Sequence, residues 1–191
     1  MSADVSVKDN VVREPEPISL PPEVFEREVK TLLDVGGSEL LGFESTHRAK
    51  VKGVDGTYEI DILARFAALG VEFKVLVECK HQREPVKREV VQVLNDRIRS
   101  VGAQKGILIA TARFQRGAIE YAQRHGIALV QLVEGRATYF TRGFGDGPEP
   151  PPWANILPYA GWMLSLSDQG GEVHSLVSVD HPDALQAFLR G

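Results

Sequence analysis

Cysteine occurs once in the 191 residues, as Cys79, so the chain can form neither an intrachain disulfide nor a cysteine-built zinc site. Long apolar runs are also missing. No stretch approaches the roughly 20 residues that a membrane-crossing helix requires. The first ten residues, Met1-Ser-Ala-Asp-Val-Ser-Val-Lys-Asp-Asn10, have neither the basic start nor the apolar stretch of a secretory signal. Histidine is sparse, and His47, His125, His174 and His181 show no mutual ligand spacing. No internal repeat is visible. These absences lead to the expectation of a cytoplasmic protein, with no membrane association, held together by packing alone.

The hydrophobic content of 43% and charged content of 25% are those of an ordinary globular protein. The length suffices for one solid core plus an appendage. The net charge of −4 conceals a polar layout. Residues 1–79 carry nine Lys/Arg against fifteen Asp/Glu, residues 80–125 carry ten against four, and residues 126–191 carry three against seven. The middle third is thus a basic block of the kind that holds phosphates, or equally a solvated helical face.

Residues 1–20 are polar and end in Glu14-Pro-Glu-Pro17, which predicts a flexible arm. Pro21-Pro22 suit the first turn of a helix. Phe25, Val29, Leu32 and Leu33 follow at helical spacing, and Gly36-Gly37 are expected to stop it. Glu26 and Glu28 flank this stripe on opposite sides, and periodicity does not choose between them. Three extended segments come next, over 43–51, 57–66 and 71–80, separated by Gly53-Val-Asp-Gly56 and Gly70. They predict an antiparallel meander in which Tyr58, Ile60, Ile62 and Ala64 share one face.

From Pro85 the period becomes helical. Val86, Val90, Val93, Leu94, Ile98 and Val101 form a stripe closed by Gly102, with Lys87, Arg88, Arg97 and Arg99 away from it. Gly106-Ile-Leu-Ile-Ala110 and Ile127-Ala-Leu-Val130 read as covered strands, joined by a helix through Phe114, Ala118, Tyr121 and Ala122. Strand, helix, strand, helix, strand implies right-handed crossovers and parallel pairing. Beyond that lie an expected edge strand over 136–141, a Gly/Pro linker over 143–152, a hairpin over 161–179 and a closing helix over 183–190. The expected division is an arm (1–20), a main domain (21–135) and a C-terminal extension (136–191) that packs on the main domain or on a partner.

Chemistry concentrates on Val75-Leu-Val-Glu-Cys-Lys-His81. Glu78 and Lys80 stand on one face of the strand, and Cys79 points the other way as a small core residue. Acid and base on an apolar strand cost desolvation unless partnered. Their partner is each other, or a divalent cation bound by Glu78. Asp61 lies mid-strand one hairpin earlier, with Glu59 on its own face. Carboxylates crowded together raise each other's pKa and persist best around a cation. An all-oxygen donor set suits magnesium or manganese, and a neighbouring lysine can orient a water or face a phosphate.

Phe25-Glu26 on a helix, Gly56-Thr-Tyr-Glu-Ile-Asp61, Val77-Glu-Cys-Lys80, a helix, Gly106-Ile-Leu-Ile-Ala-Thr111 and Phe114-Gln-Arg-Gly-Ala118 together resemble the PD-(D/E)xK nuclease superfamily, nearest its Mrr-like restriction endonuclease branch. The resemblance covers about residues 22–133. It implies an α/β fold with a restriction-endonuclease-like three-layer core of αβββαβ plan and a mixed sheet, to which the C-terminal α+β appendage is added. It also implies a Mg²⁺- or Mn²⁺-dependent DNA endonuclease. Asp61 and Glu78 would bind the cation, with the Cys79 backbone carbonyl and Glu26, the acid of the first helix, as further ligands. Lys80 would position or activate the attacking water, and Gln92 matches a glutamine that some branches add. Ile60 stands where the superfamily's name has proline.

DNA would be the partner, met by Lys87, Arg88, Arg113, Arg116 and His81. Thr111, Arg113 and Arg116 sit at a strand-to-helix junction, where phosphate binding and ordinary capping are equal readings. Trp153 and Trp162 are read as packing for the tail. A homodimer follows by analogy, because cutting both strands at once takes two active sites. The rival functions are a catalytically weak nuclease-fold module that binds DNA or protein, and a domain in which Glu78–Lys80 is a structural ion pair.

Overall fold

The computed structural model describes Ile18 and residues 20–135 and 158–191. The edge strand expected over 136–141, the linker over 143–152, Trp153 and nearly all of the N-terminal arm lie outside these residues. Helix α1 (Pro22–Gly37) begins at Pro21, where the missing amides of both prolines leave no helical hydrogen bond unmade. Its glycines do not stop it. They form its last turn, because a Cβ at Gly36 would come within 2.5 Å of Leu185 and one at Gly37 would run into the Phe43 ring. Close approach, not chain reversal, is what these two glycines provide.

The meander follows as β1 (Glu44–Lys52), β2 (Thr57–Ala68) and β3 (Val71–Lys80), all antiparallel. Helix α2 (Arg88–Val101) ends on Gly102, whose φ of 66° is the left-handed cap that glycine adopts most cheaply. β4 (Lys105–Ala110), α3 (Arg116–Arg124) and β5 (Ile127–Glu134) complete two parallel crossovers. β6 (Tyr159–Leu166) then pairs antiparallel with β5, β7 (Glu172–Val177) pairs with β6, and α4 (Asp183–Arg190) closes the described chain.

Among the described residues, seven strands form one mixed sheet in sequence order, β1 to β7. The C-terminal hairpin therefore extends the sheet. One face is covered by α1 and α4, with Phe25, Val29, Leu33, Leu185 and Leu189 packed on Ile62, Val75, Val77 and Ile109. The opposite face is covered by α2 and α3, with Val91, Leu94, Ala118 and Ile119 packed on Leu63, Leu76, Leu108 and Leu129. Helix–sheet–helix layering of this kind is the three-layer α/β arrangement. Within α2, Val93 turns out to be exposed, while Asn95 is buried and donates to the Tyr121 hydroxyl of α3 at 2.8 Å.

Candidate active site

The site grows from a fault in the sheet. β1 and β2 pair from Glu44↔Arg65 to Lys52↔Thr57, yet Arg48 and Asp61, which fall between His47↔Ile62 and Ala49↔Ile60, form no pair. Arg48 has a φ of 50°, a left-handed conformation that costs a non-glycine residue roughly 1–2 kcal/mol. The alternation of faces slips at this point. Tyr58 and Ile60 pack beneath α2 and α3, whereas Ile62, Ala64 and Phe66 pack beneath α1. The single face expected for residues 58–64 is therefore broken, and Glu59, exposed opposite Lys50, does not join Asp61.

β2 also parts from β3 here. Their ladder ends at Ile62↔Val77, so Glu78, Cys79 and Lys80 continue with β4 as their strand partner. The Lys80 carbonyl accepts from the Thr111 amide on the β4 side. Peptide groups alternate sides along a strand, so the Cys79 amide and carbonyl face the gap left by β2. Asp61 supplies the missing acceptor: its Oδ2 receives the Cys79 N–H at 2.7 Å. Burial holds the Asp61 carboxyl above its ordinary pKa despite that hydrogen bond, and the charges of Glu78 and Glu26 push the same way while Lys80 opposes them. Burial, followed by the same carboxylates, drives the Cys79 thiol far above its usual range. Cys79 packs against the α1 core and is no nucleophile.

Glu78 is 8% exposed, and both its oxygens are engaged. Oε1 accepts from Lys80 Nζ at 2.6 Å and Oε2 from Arg97 Nη1 at 2.7 Å. Arg97 was read from the sequence as lying away from the apolar stripe. It follows Val93 by four residues and Val90 by seven, so it shares their flank of α2, and its side chain leans back toward the helix N-terminus to reach the strand end. That spacing, together with a buried glutamate needing a second cation, was the available signal. Gln92 is exposed, about 140° around the helix from Arg97, and is not brought to the cluster.

Of the two glutamates that periodicity left open, Glu26 reaches β1. It shares a short hydrogen bond with His47 Nε2 and accepts from Arg48 Nε at 3.4 Å. His81 is exposed, with its ring tilted on Phe25 at 5.8 Å. Lys87 is exposed at the start of α2, and Arg88 lies 5.1 Å above the Tyr121 ring. Arg116 bonds Glu120 at 2.9 Å and the Gly170 carbonyl at 3.2 Å. Arg113 lines a shallow groove of about 280 Å³ with Phe114, Gln131 and His174. The Thr111 hydroxyl is occupied by the Gln82 backbone, as donor at 2.9 Å and acceptor at 3.1 Å. Trp162 packs edge-on against His174 in the hairpin.

Among the described residues, no three His, Cys, Asp or Glu side chains are arranged to hold a metal ion as they stand. The donor chemistry nevertheless fits a hard divalent cation. The Asp61 carboxylate and the Cys79 carbonyl face the gap between β2 and β3, the Glu78 carboxylate repels Asp61 from beside it, and all are oxygen donors. Turning Glu78 from Arg97 toward the gap is the rearrangement this requires.

A family model described as "Restriction endonuclease" (Mrr_cat) matches residues 19–137. The chain is similar to a solved protein of unknown function, AF1548, at 26% identity and a TM-score of 0.45, over 55% of this chain and 54% of that one. It is also similar to the DNA modification-dependent restriction endonuclease AspBHI, at 20% identity and a TM-score of 0.40, over 56% of this chain and 28% of that one. It thus spans about half of the first of these proteins and under a third of the second. No curated protein matches it. With a match over more than half its length, the chain belongs to the Mrr-type restriction endonuclease family.

Proposed function

We propose that this protein is a metal-dependent DNA endonuclease that hydrolyses phosphodiester bonds. The observation that carries the reading is the placement of Asp61, Glu78 and Lys80 at the one point where β2 leaves β3, where burial and the neighbouring Glu78 charge raise the pKa of the Asp61 carboxyl. Such a cluster costs stability and is expected where function requires it. Asp61, Glu78 and the Cys79 carbonyl would hold Mg²⁺ or Mn²⁺. The bound ion supplies a polarised phosphodiester and a water of lowered pKa. Lys80, freed from Glu78 Oε1, orients that water or faces the charge building on the phosphate. Glu26, held by His47 and Arg48, tunes Asp61 through its charge. DNA is received along Lys87, Arg88, Arg113, Arg116 and His81, in a cytoplasmic setting, with a second copy needed to cut both strands at once. The chain divides into an arm over 1–20, the catalytic domain over 21–135 and a C-terminal extension over 136–191.

A weakly catalytic binding module is the second reading. It is favoured by the engagement of both Glu78 oxygens by cations of the chain itself. Calorimetric titration with MgCl₂ and MnCl₂ separates the two. The endonuclease binds the ion, and Asp61→Ala abolishes binding. The module binds no ion, and Asp61→Ala leaves its DNA affinity unchanged.

A further inference from the structure

We propose that Arg97 is a gating counter-cation. It holds Glu78 turned away from the gap between β2 and β3 and must release it before a divalent cation can be bound there. The inference rests on the metal-site reading above and extends it to a residue outside the acid–lysine set.

Three observations converge on Arg97. Its guanidinium donates to Glu78 Oε2 at 2.7 Å, and Lys80 takes the other oxygen at 2.6 Å, so both donor atoms of the candidate ligand are occupied. Glu78 is 10% exposed at its side chain while Arg97 is 29% exposed. The anion is therefore fixed inside and the cation has an outlet to water. Third, Arg97 comes from α2 and reaches a strand end with no β2 partner, so it closes the α2 side of the same gap that Asp61 bounds. While Lys80 and Arg97 hold its two oxygens, Glu78 is not turned to the gap, so a divalent cation there competes with the guanidinium for it. A positive charge retained beside the site also repels an incoming ion. Both effects act in one direction, so Arg97 weakens metal binding. In exchange it gives a buried carboxylate a partner and fixes its orientation. Arg97 is accordingly a positioning residue that acts through Glu78. Once displaced, its fork of N–H donors matches a phosphate.

The test is calorimetry with MnCl₂ alone on wild type, Arg97→Gln and Arg97→Lys, with thermal unfolding of each with and without the metal. Arg97→Gln should bind Mn²⁺ at least tenfold more tightly than wild type, whereas Arg97→Lys, which keeps the charge, should lie between the two. Arg97→Gln should also melt below wild type without metal and gain more from saturating Mn²⁺, a pattern that lost packing alone does not produce. If Arg97→Gln is too unstable to titrate, the Arg97 Nε–Hε NMR signal of wild type substitutes for it. That signal should shift and exchange faster with solvent as diamagnetic Mg²⁺ is added. Equal or weaker Mn²⁺ binding by Arg97→Gln, or an Arg97 signal unmoved at saturating Mg²⁺, overturns the gate while leaving the metal site standing. Absence of binding in all three proteins, with the Arg97 signal likewise unmoved, overturns the metal-site reading and the gate with it.

Discussion

Replacing Glu78 with glutamine removes one charge and almost no volume, so it isolates what the carboxylate contributes. At about 4 Å between charge centres and an effective dielectric near 20, each of its two ion pairs is worth about 4 kcal/mol of attraction. Against this stand the desolvation of a side chain only 10% exposed and the mutual repulsion of Lys80 and Arg97. Removing one partner from a buried pair typically costs 3–5 kcal/mol, because the partner left behind is stranded. Here the stranded groups are the two cations, which keep 34% and 29% exposure and can turn outward. The lower end applies, about 3 kcal/mol. For a chain of this size that lowers Tm by about 6–12 °C. Urea unfolding followed by circular dichroism gives the free energy, and calorimetry gives Tm. A Glu78→Gln protein within about 0.5 kcal/mol of wild type refutes the clamp. A variant destabilised as expected that still cleaves DNA at the wild-type rate assigns Glu78 to structure alone.

Asp61→Asn keeps an acceptor for the Cys79 amide but removes the buried charge. Because the folded-state pKa of Asp61 is raised, wild type loses stability as pH climbs from the ordinary value of 3.8 through the folded value, and the asparagine variant does not. The stability gap in favour of Asp61→Asn should therefore open across that window and then stay constant, as urea titrations at stepped pH would read. A gap that closes as pH rises contradicts the assignment. Tyr121→Phe strands the amide of Asn95, which is 7% exposed, and should cost about 1–2 kcal/mol in the same assay with metal affinity unchanged. Lys80→Ala leaves Glu78 paired with Arg97 and should cost less than Glu78→Gln, and thermal unfolding of the variant then separates lost cleavage from lost fold.

The fold was legible where one physical signal governed each element. Turn residues at Gly53–Gly56 and Gly70 separate the meander, and the change of period at Pro85 marks the first crossover. The continuous apolar runs of β4 and β5 announce strands covered on both sides. Asp61, Glu78 and Lys80 were legible as chemistry because acid and base on apolar strands need an explanation. What stayed hidden depends on contacts distant in sequence. The slip of faces at Asp61 is tied to the left-handed backbone of Arg48 on the neighbouring strand, and no alternation rule reports that. Arg97 looked like solvated helix surface because a long side chain can leave its own face. The basic block suggested a uniform phosphate-binding face. At least five of its cations are committed inside the chain, Lys80 and Arg97 on Glu78, Arg88 on Tyr121, Lys105 on the Phe188 carbonyl and Arg116 on Glu120 and the Gly170 carbonyl. Gly36 and Gly37 looked like a stop signal because their real constraint, room for Leu185 and Phe43, is tertiary.

Conversion of supercoiled plasmid to nicked and linear forms, by wild type and Lys80→Ala side by side, with Mg²⁺, Mn²⁺ or a chelator, decides whether Lys80 and a divalent ion act together in phosphodiester cleavage. Cleavage by wild type should require the divalent ion, stop with chelator, and fall by roughly 10²-fold or more in Lys80→Ala, the range for loss of a positioned acid–base group. Equal rates for the two folded proteins, or cleavage indifferent to chelator, would contradict that joint role.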